Sequence, residues 1–244
     1  MAKTRGVLLL TEINKQMNSC SVNWRSTIRY ILYFLLFLAL FPIFMMIVYG
    51  LPFVHPVSTL MVKDIVTLNT YKREWVDIED ISPNLIYAVV MSEDGQFCAH
   101  NGVDWYALKA VLTQDGGPTR GASTITMQTV KNLFLWHDRS YLRKGLEIPY
   151  AVTADLILSK KRILEIYLNM AEWGPGIYGV EAASQYFFKK SAKNLTRRQA
   201  AYLAITLPSP KIRKPNRPTN NLVLLAQLIE KRVRQSVPYT QCLR

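Results

Sequence analysis

The longest apolar segment of the chain lies near the N-terminus. Residues 30–49 carry no charged side chain, and about 20 apolar residues is the length that an α-helix needs to cross a bilayer. In residues 1–29 five basic residues stand against one acidic residue, Glu12. Because basic residues beside a membrane helix stay in the cytoplasm, we predict a cytoplasmic tail at 1–29 and a transmembrane helix at 30–50. No small-residue cleavage site follows, so the helix is predicted to be an uncleaved signal-anchor.

After residue 50 the pattern predicts a linker, residues 51–71, and then one domain, residues 72–244. Within the linker, residues 58–63 predict a short strand. Beyond residue 82 the apolar positions recur mostly with helical spacing and no run of alternating strands appears, so the domain is predicted to be mainly α. Helices are predicted after Ser82 and after Ser123 or Thr124, and over residues 105–111, 156–173, 180–188, 196–206 and 222–233.

Two adjacent carboxylates, Glu93 and Asp94, end the first helix of the domain. Ser82 suits its N-cap and Pro83 its first position. The apolar residues that follow predict a buried helix, and burial beside apolar groups raises the pKa of a carboxyl group, which suits a general acid or base near neutral pH. The alternative is a solvated acidic pair at a helix end, and this stretch alone leaves both open.

The segment between the next two predicted helices, residues 113–122, is rich in glycine and is predicted to be a mobile surface loop. Ser123 or Thr124 then caps a helix whose free N–H groups face that loop and suit an anion. Thr124, Gln128 and Lys131 share one face of this helix. They form a polar strip that ends in a cation, and the alternative is an ordinary capped helix with a hydrated face.

Three further charged residues, Arg139, Arg143 and Glu147, are spaced four residues apart and share a helical face. An arginine one turn from a carboxylate lowers the carboxylate's pKa. Glu147 is therefore predicted to be the ionised acid of the site, and Glu93 the acid with the raised pKa. The alternative is a hydrated surface ion pair, worth only roughly a few tenths of a kcal/mol.

The charge balance indicates an anionic partner. Lys and Arg number 30 and Asp and Glu 17, a net charge of +13, which favours a polyanion, an anionic membrane surface or a phosphate-bearing substrate. No zinc-finger spacing or basic-aromatic RNA motif occurs, so nucleic acid is not predicted as a partner. The cysteines, Cys20, Cys98 and Cys242, have no metal-ligand spacing. A bridge between Cys98 and Cys242 is an open alternative that nothing local supports.

Taken in order, these segments resemble one family, the family 51 peptidoglycan glycosyltransferases that polymerise lipid II. The family's motifs read Glu-Asp-x-x-Phe-x-x-His-x-Gly, then Gly-x-Ser-Thr-Ile-Thr-Gln-Gln followed by Lys-Asn, then Arg-Lys-x-x-Glu, then Lys-x-x-Ile-Leu-Glu-x-Tyr-Leu-Asn. A fifth region precedes a proline, and the resemblance covers roughly residues 72–210. The five matches lie at residues 93–102, 121–132, 143–147, 160–169 and 179–208.

The resemblance implies a lysozyme-like fold with a small mobile lobe close to the membrane. It implies glycosyl transfer from an undecaprenyl-diphosphate-linked chain to the 4-hydroxyl of lipid II. The catalytic domain would lie in the periplasm and the anchor in the bacterial inner membrane. The expected partners are lipid II, the growing lipid-linked glycan, the membrane and other cell-wall synthesis proteins.

The resemblance also assigns roles to the motif residues. Glu93 is expected to be the general base, and Glu147 a second catalytic acid that orients the cations or assists the leaving group. His100 is expected to stabilise its loop, and Glu165 and Asn169 to brace the cleft. No cofactor is expected to be required, although Mg²⁺ or Mn²⁺ could bridge the diphosphate. The expected substrate-binding residues are Asp94, Ser123, Thr124, Gln128, Lys131, Arg139, Arg143 and Lys144.

Three residues, Met127, Leu146 and Phe188, depart from the family pattern. Met127 is expected to remove one polar contact from the glycan cleft, and Leu146 one cation. The apolar residues 133–136 either dip into lipid or form a buried turn, and both alternatives are open.

The sequence has no Ser-x-x-Lys, Ser-x-Asn and Lys-Thr-Gly set, so no transpeptidase activity is predicted. Two rival functions remain beside glycan polymerisation. One is a lytic glycosidase on a lysozyme-like fold, and the other is a non-catalytic, membrane-tethered scaffold for cell-wall synthesis.

Overall fold

The computed structural model describes residues 24–113, 121–138 and 140–243. Most of the predicted cytoplasmic tail and of the predicted surface loop at 113–122 therefore lies outside the described residues, as does Arg139. The contacts along the chain define two units, residues 1–42 and residues 43–244. Every site discussed below belongs to the second unit.

Helix α1, Trp24–Tyr49, is 26 residues long and contains Pro42. In the part of the chain that the structure describes, it is the one helix long and apolar enough to cross a membrane. Its side chains from Tyr30 to Leu38 are exposed and apolar, as a helix surrounded by lipid would present them. The helix begins at Trp24 rather than at the predicted residue 30. Its place in a membrane and its orientation stay predictions.

The second unit is mainly helical, as predicted. Its sheet is small: β3 pairs in parallel with β1 and antiparallel with β2, so the strand order is β1-β3-β2. The strands are β1 Lys72–Arg73, β2 Glu172–Gly174 and β3 Ile177–Tyr178. The helices are α2 Thr59–Val66, α3 Pro83–Glu93, α4 Trp105–Thr113, α5 Ile125–Phe134, α6 Tyr141–Ile157, α7 Lys160–Met170, α8 Val180–Phe188, α9 Arg197–Ala204 and α10 Asn220–Arg234.

The core of this unit forms around α3 and α7. Helix α3 packs against α9 and α10, while α5 packs against α6 and α7. Leu85, Val89 and Ile166 are fully buried in the main cluster. A second cluster, which contains Met127 and Ala151, lies where α5 meets α6. These two clusters fix the ends of α3, α5 and α6, which carry the candidate site.

Several predicted helix starts are confirmed. Pro83 is the first residue of α3, the Thr124 side chain caps α5, and Thr196 forms a capping box with Gln199 at α9. Ser82 precedes α3 without capping it, because its hydroxyl donates to the carbonyl of Leu195 at 3.2 Å. The serine thus joins α3 to the segment that leads into α9.

The strand predicted at residues 58–63 is wrong. The segment forms α2, because the Ser58 side chain accepts a hydrogen bond from the Met61 N–H and so caps a helix. Residues 51–54, assigned to a linker, are held to the domain: the Arg162 guanidinium donates to the carbonyls of Leu51 and Val54. The domain boundary predicted at residue 72 stays a prediction.

The single helix predicted at residues 156–173 is also wrong. Leu158 adopts an extended backbone that ends α6, and Ser159 caps α7 by accepting from the Arg162 N–H. Trp173 and Gly174 belong to β2 instead of a helix. The apolar pattern continues through the break because Leu158 is itself buried, so periodicity alone could not locate it.

Of the apolar residues 133–136, Leu133 and Phe134 end α5 and Leu135 follows it with an extended backbone. Leu133 and Leu135 are buried, and the Thr59 hydroxyl of α2 donates to the Leu135 carbonyl at 2.9 Å. Trp136 alone of these four is exposed, at 41%. The side chains of Leu133 and Leu135 therefore face the protein interior rather than lipid.

Candidate active site

Glu93 is the last residue of α3, and its carboxylate lies in a largely desolvated position. Its Oε2 accepts a hydrogen bond from Gln128 Nε2 at 3.1 Å, and Gln128 Oε1 in turn accepts from the Tyr167 hydroxyl at 3.1 Å. Its Oε1 is buried and has no hydrogen-bond partner among the described residues. Burial raises the pKa of Glu93, while the Gln128 hydrogen bond and the Arg213 charge oppose this. The predicted raised pKa is confirmed.

Asp94 has a structural position different from that of its neighbour. It is 6% exposed, and its Oδ2 accepts from the Ile125 N–H at 2.9 Å, at the start of α5. Both of its carboxylate oxygens lie 3.0 Å from His100 Nε2. Asp94 therefore joins the loop after α3 to α5, and His100 makes the loop-stabilising contact that was expected of it. The two acids are therefore unequal: within the described ranges Oε1 of Glu93 has no hydrogen-bond partner, whereas both carboxylate oxygens of Asp94 have one.

The loop between Asp94 and α4 is fixed at a glycine. Gly102 has a positive φ of 83°, and a Cβ there would overlap the backbone of Ala151 in α6. The Thr124 hydroxyl donates to the Gly102 carbonyl at 2.6 Å. Lys160 also donates to the loop, at the His100 carbonyl. These contacts position Glu93 relative to α5 and α6.

Glu147 lies on α6 and is 2% exposed. Its carboxylate forms an ion pair with Arg143 and a second one with Lys144, whose Nζ lies 2.8 Å from Oε2. Lys144 also donates to the Ser123 hydroxyl at 2.8 Å. The pairing of Arg143 with Glu147 was predicted, and both partners are mostly buried rather than hydrated. The hydrated surface pair is therefore excluded.

Positive charge exceeds negative charge around Glu147. Burial lowers the pKa of Lys131, and so does the nearby Arg143, while Glu93 opposes them. Burial, Arg143 and Lys131 lower the pKa of Lys144 to about 8. These groups repel one another, and within the described residues Lys131 has no ion-pair partner. A cluster of partly desolvated cations of this kind suits an anion such as a diphosphate.

His137 belongs to the same electropositive region. Burial and the charges of Lys131 and Arg143 lower its pKa to about 4, so the imidazole is neutral near pH 7. Its Nε2 lies 3.2 Å from Asn132 Oδ1. This histidine belongs to none of the sequence motifs, so no spacing pattern indicates it.

The structure brings nearly all of the predicted site residues together. The end of α3 brings Glu93 beside Gln128 and Lys131 of α5. The cations Arg143 and Lys144 lie on α6, and Lys144 contacts Ser123, which precedes α5. A cavity of about 290 Å³ opens beside Glu93, Asp94, Ser123 and Thr124. Of the predicted set, Arg139 is outside the described residues.

Two site features escaped the sequence analysis. Residues 211–218 are rich in basic residues and proline, a composition typical of a solvated loop. Arg213 is nevertheless half-buried, donates to the Ile205 carbonyl and lies close enough to Glu93 to lower its pKa. Tyr167 completes the hydrogen-bond chain through Gln128. No spacing rule links either residue to Glu93, because the contacts join segments far apart in the chain.

Glu165 and Asn169 lie behind the site. The Asn169 amide donates to the Val76 carbonyl at 2.8 Å and accepts from the Val76 N–H at 3.0 Å. The Glu165 carboxylate accepts from the Ile78 N–H at 3.4 Å and also pairs with Arg162 of the same helix. These contacts join α7 to the chain before α3. They agree with the bracing role expected of both residues.

The family comparison decides the interpretation of this arrangement. The transglycosylase family model matches residues 61–234. The chain belongs to the transglycosylase family. It is therefore an enzyme of the glycosyltransferase class, and the resemblance inferred from the motifs is confirmed.

Similar transglycosylases occur in several bacteria. The chain is 60% identical over 223 residues to the biosynthetic peptidoglycan transglycosylase of Brucella suis biovar 1 (strain 1330), covering 91% of this chain and all of the relative. It is 56% identical over 223 residues to the protein of that name from Agrobacterium fabrum (strain C58 / ATCC 33970), covering 91% and 99%. It is 52% identical over 221 residues to the Rhizobium etli (strain ATCC 51251 / DSM 11541 / JCM 21823 / NBRC 15573 / CFN 42) protein, covering 90% and 95%.

Two departures from the family pattern have a structural explanation. Met127 is fully buried between α5 and α6 in the second core cluster. The expectation that it removes a polar contact from the glycan cleft is therefore wrong, because the side chain faces away from the cleft. Phe188 ends α8 and packs against the main core.

Proposed function

We propose that this transglycosylase polymerises lipid II into β-1,4-linked peptidoglycan glycan strands. The donor is the growing chain on undecaprenyl diphosphate, and the acceptor is the 4-hydroxyl of lipid II. The observation that carries the proposal is the placement of one desolvated carboxylate, Glu93, beside a group of cations. A sugar hydroxyl needs a carboxylate to take its proton, and a diphosphate leaving group needs cations to neutralise its charge.

Glu93 is the general base in this proposal. Its Oε2 is held by Gln128, while its buried Oε1 has no partner in the described part of the chain and is free to receive a proton. A raised pKa strengthens it as a base near neutral pH. The Glu93 carboxylate takes the proton of the 4-hydroxyl as that oxygen attacks the anomeric carbon of the donor.

The cations serve the leaving group. The bond from the anomeric carbon to the diphosphate oxygen breaks, and undecaprenyl diphosphate departs with the electron pair. Diphosphate ionises readily, so it needs charge neutralisation rather than a proton. Lys131, Arg143 and Lys144 supply this charge, and Arg139 is assigned to the same set by its spacing four residues before Arg143. A single displacement converts the α-linked donor to a β-linked product, which is inversion.

Glu147 acts through the cations it pairs with. It is buried and bonded to both Arg143 and Lys144, so it fixes where their positive ends lie. Asp94, Ser123 and Thr124 position the cleft, Asp94 through its contact with α5 and Ser123 through Lys144. No cofactor is part of the proposal, and an Mg²⁺ or Mn²⁺ ion at the diphosphate would add positive charge to that of Lys131, Arg143 and Lys144.

The membrane anchor is proposed to raise the local concentration of the lipid-linked substrates at the enzyme. Both substrates carry long lipids, so a site near the membrane surface meets them at a high effective concentration. We assign α1 to the bacterial inner membrane with the N-terminus in the cytoplasm and the catalytic domain in the periplasm. Other cell-wall synthesis proteins are the expected neighbours there, and the enzyme is proposed to lack transpeptidase activity.

The test supplies labelled lipid II to the full-length protein in detergent micelles. Polymerisation predicts long glycan that lysozyme degrades. Shortening of preformed glycan without polymer formation would support the lytic glycosidase, and binding of lipid II without any product would support the scaffold. Either result would refute the proposal.

A further inference from the structure

The last residues of the chain lie against the loop that follows Glu93. Residues 235–243, here called the C-terminal segment, follow α10 and contain two short 3₁₀ turns, Val237–Tyr239 and Gln241–Leu243. The second turn contacts α7, and Leu243 packs against the main core. Buried Ser236 and Thr240 hold the segment together, since the Thr240 hydroxyl donates to the Ser236 carbonyl at 3.0 Å. The segment is therefore an ordered part of the domain.

A disulfide joins this segment to the catalytic loop. Cys242 is bonded to Cys98, 144 residues earlier in the chain, with the two Cα atoms 5.6 Å apart. This decides the pairing that the sequence left open. Cys98 lies shortly after Asp94, so the bond fixes the end of the chain beside the two acids. A periplasmic domain is a place where such a bond forms and persists.

The cavity beside Glu93 has a lining that the motifs do not account for. The same cavity of about 290 Å³ is lined by Arg232, from the last turn of α10, and by Tyr239. A neighbouring cavity is lined by Gln96, Tyr239 and both disulfide cysteines. Gln96 and Tyr239 belong to both linings. The C-terminal segment thus extends the site away from the cations and along the disulfide.

Among the described residues, Arg232 and Tyr239 have no polar side-chain contact that would explain a structural role. Across the described ranges, neither side chain is part of an ion pair, and neither forms a side-chain hydrogen bond. The Tyr239 side chain is 44% exposed. A tyrosine ring offers a flat apolar face to the C–H groups of a sugar, and a guanidinium donates in a fork to hydroxyls and carboxylates. Both residues are therefore equipped to contact a saccharide.

We propose that the C-terminal segment and the end of α10 form a saccharide-binding wall beside Glu93, in which Tyr239 and Arg232 contact the glycan and the Cys98–Cys242 disulfide holds the wall in place. This inference rests on the proposed function and adds a part to its substrate site. The ligand is an amino-sugar chain with acidic substituents. Lipid II as acceptor and the growing strand as donor both present that chemistry.

Steady-state polymerisation by the full-length enzyme tests the two contact residues. Tyr239→Ala and Arg232→Ala are each expected to raise KM for lipid II or to shorten the product, with a change of roughly 2- to 10-fold for one lost contact. Tyr239→Phe keeps the ring and is expected to restore the wild-type values. The matched controls are Tyr186→Ala and Arg234→Ala, which remove exposed residues outside both cavities.

The two sources of the saccharide give different readouts. A higher KM for lipid II with unchanged product length identifies the acceptor, whereas shorter strands at an unchanged KM identify the growing chain. Wild-type KM and wild-type strand length in Tyr239→Ala and Arg232→Ala would overturn the inference. A wild-type enzyme that forms no glycan would instead overturn the proposed function, so the two failures are distinguishable.

The disulfide is tested in the same assay. The double variant Cys98→Ser, Cys242→Ser is expected to show the same change in KM or strand length as Tyr239→Ala, and Cys20→Ser is the control. The midpoint of thermal unfolding is measured in parallel. A lower midpoint with wild-type KM and strand length would overturn the holding role assigned to the disulfide, because a purely stabilising bond changes only the midpoint.

Discussion

Lys144 gives the sharpest pH-dependent prediction, because burial and two neighbouring cations lower the pKa of an ammonium group that also pairs with Glu147. Its pKa is lowered to about 8 by burial and by Arg143 and Lys131. The group is charged below this pKa and loses its charge as the pH rises through it. At pH 7 about nine-tenths of the side chains are charged, and at pH 9 about one-tenth. The positive charge that Lys144 supplies to neutralise the diphosphate is therefore expected to decrease between pH 7 and pH 9.

The consequence is an alkaline limb in the pH profile of kcat/KM, which reports the free enzyme. Between pH 7 and pH 9 kcat/KM for lipid II is expected to fall about tenfold if the charge of Lys144 is required. Lys144→Arg replaces the ammonium with a guanidinium that stays charged over this range. The alkaline limb is then expected to move above pH 9.

The assay is the initial rate of polymerisation of labelled lipid II at subsaturating concentration, measured from pH 5.5 to pH 10. Lys193→Arg is the control, because Lys193 is exposed and pairs with Asp80 on the surface. An alkaline limb at the same pH in wild type and Lys144→Arg would refute the reasoning. It would show that another group, not Lys144, loses its charge there.

Three further substitutions test the surroundings of Glu93 and Glu147. Gln128→Leu removes the hydrogen bond that lowers the pKa of Glu93, so the acid limb of the pH profile is expected to move to higher pH. Arg143→Ala is expected to weaken the binding of a lipid-linked diphosphate at least about tenfold in a direct binding assay. Gly102→Ala is expected to lower the free energy of unfolding by about 2 kcal/mol or more in denaturant titration, because φ is positive and the Cβ meets backbone.

Each of these has a control and a contrary result. Arg198→Ala removes an exposed arginine from α9, and diphosphate binding equal in this variant and in Arg143→Ala would remove Arg143 from the site. Gly95→Ala lies in the same loop with open space around it, and equal destabilisation by both glycine variants would contradict the strain at Gly102. An acid limb that moves to lower pH in Gln128→Leu would contradict the sign of that hydrogen bond.

The sequence predicted those parts of the site that depend on local spacing. The buried helix that delivers Glu93 follows from Pro83 and an apolar run, and the cap at Thr124 from residue type. The pairing of Arg143 with Glu147 follows from helical periodicity, which places residues four apart on one face. These features need no knowledge of the tertiary fold.

The errors have a different cause, which is a serine cap combined with packing that the apolar pattern does not show. Residues 58–63 contain β-favourable types, but one hydroxyl cap at Ser58 and packing against α5 decide for a helix. The break at Leu158 does not interrupt the apolar pattern, because Leu158 is itself apolar and buried. In each case a serine cap sets where a helix starts, and packing then buries the apolar positions around it.

The remaining site residues come from distant parts of the chain. Arg213, Tyr167 and the Cys98–Cys242 pair reach Glu93 or its loop only because α3, α7 and the chain end meet in the fold. The composition of residues 211–218 is typical of a solvated loop, and it does not show that Arg213 lies near the Glu93 carboxylate. Spacing rules carry no information about such pairs.

The central claim is that Glu93 takes the proton of the acceptor hydroxyl, and Glu93→Gln tests it most directly. The amide keeps the shape and the contact with Gln128 but cannot accept that proton as a base. The measurement is the single-turnover rate of polymerisation together with lipid II affinity, with the exposed surface variant Glu79→Gln as control. We predict a rate at least about 10²-fold lower with affinity and folding kept. A wild-type rate in Glu93→Gln would contradict the account.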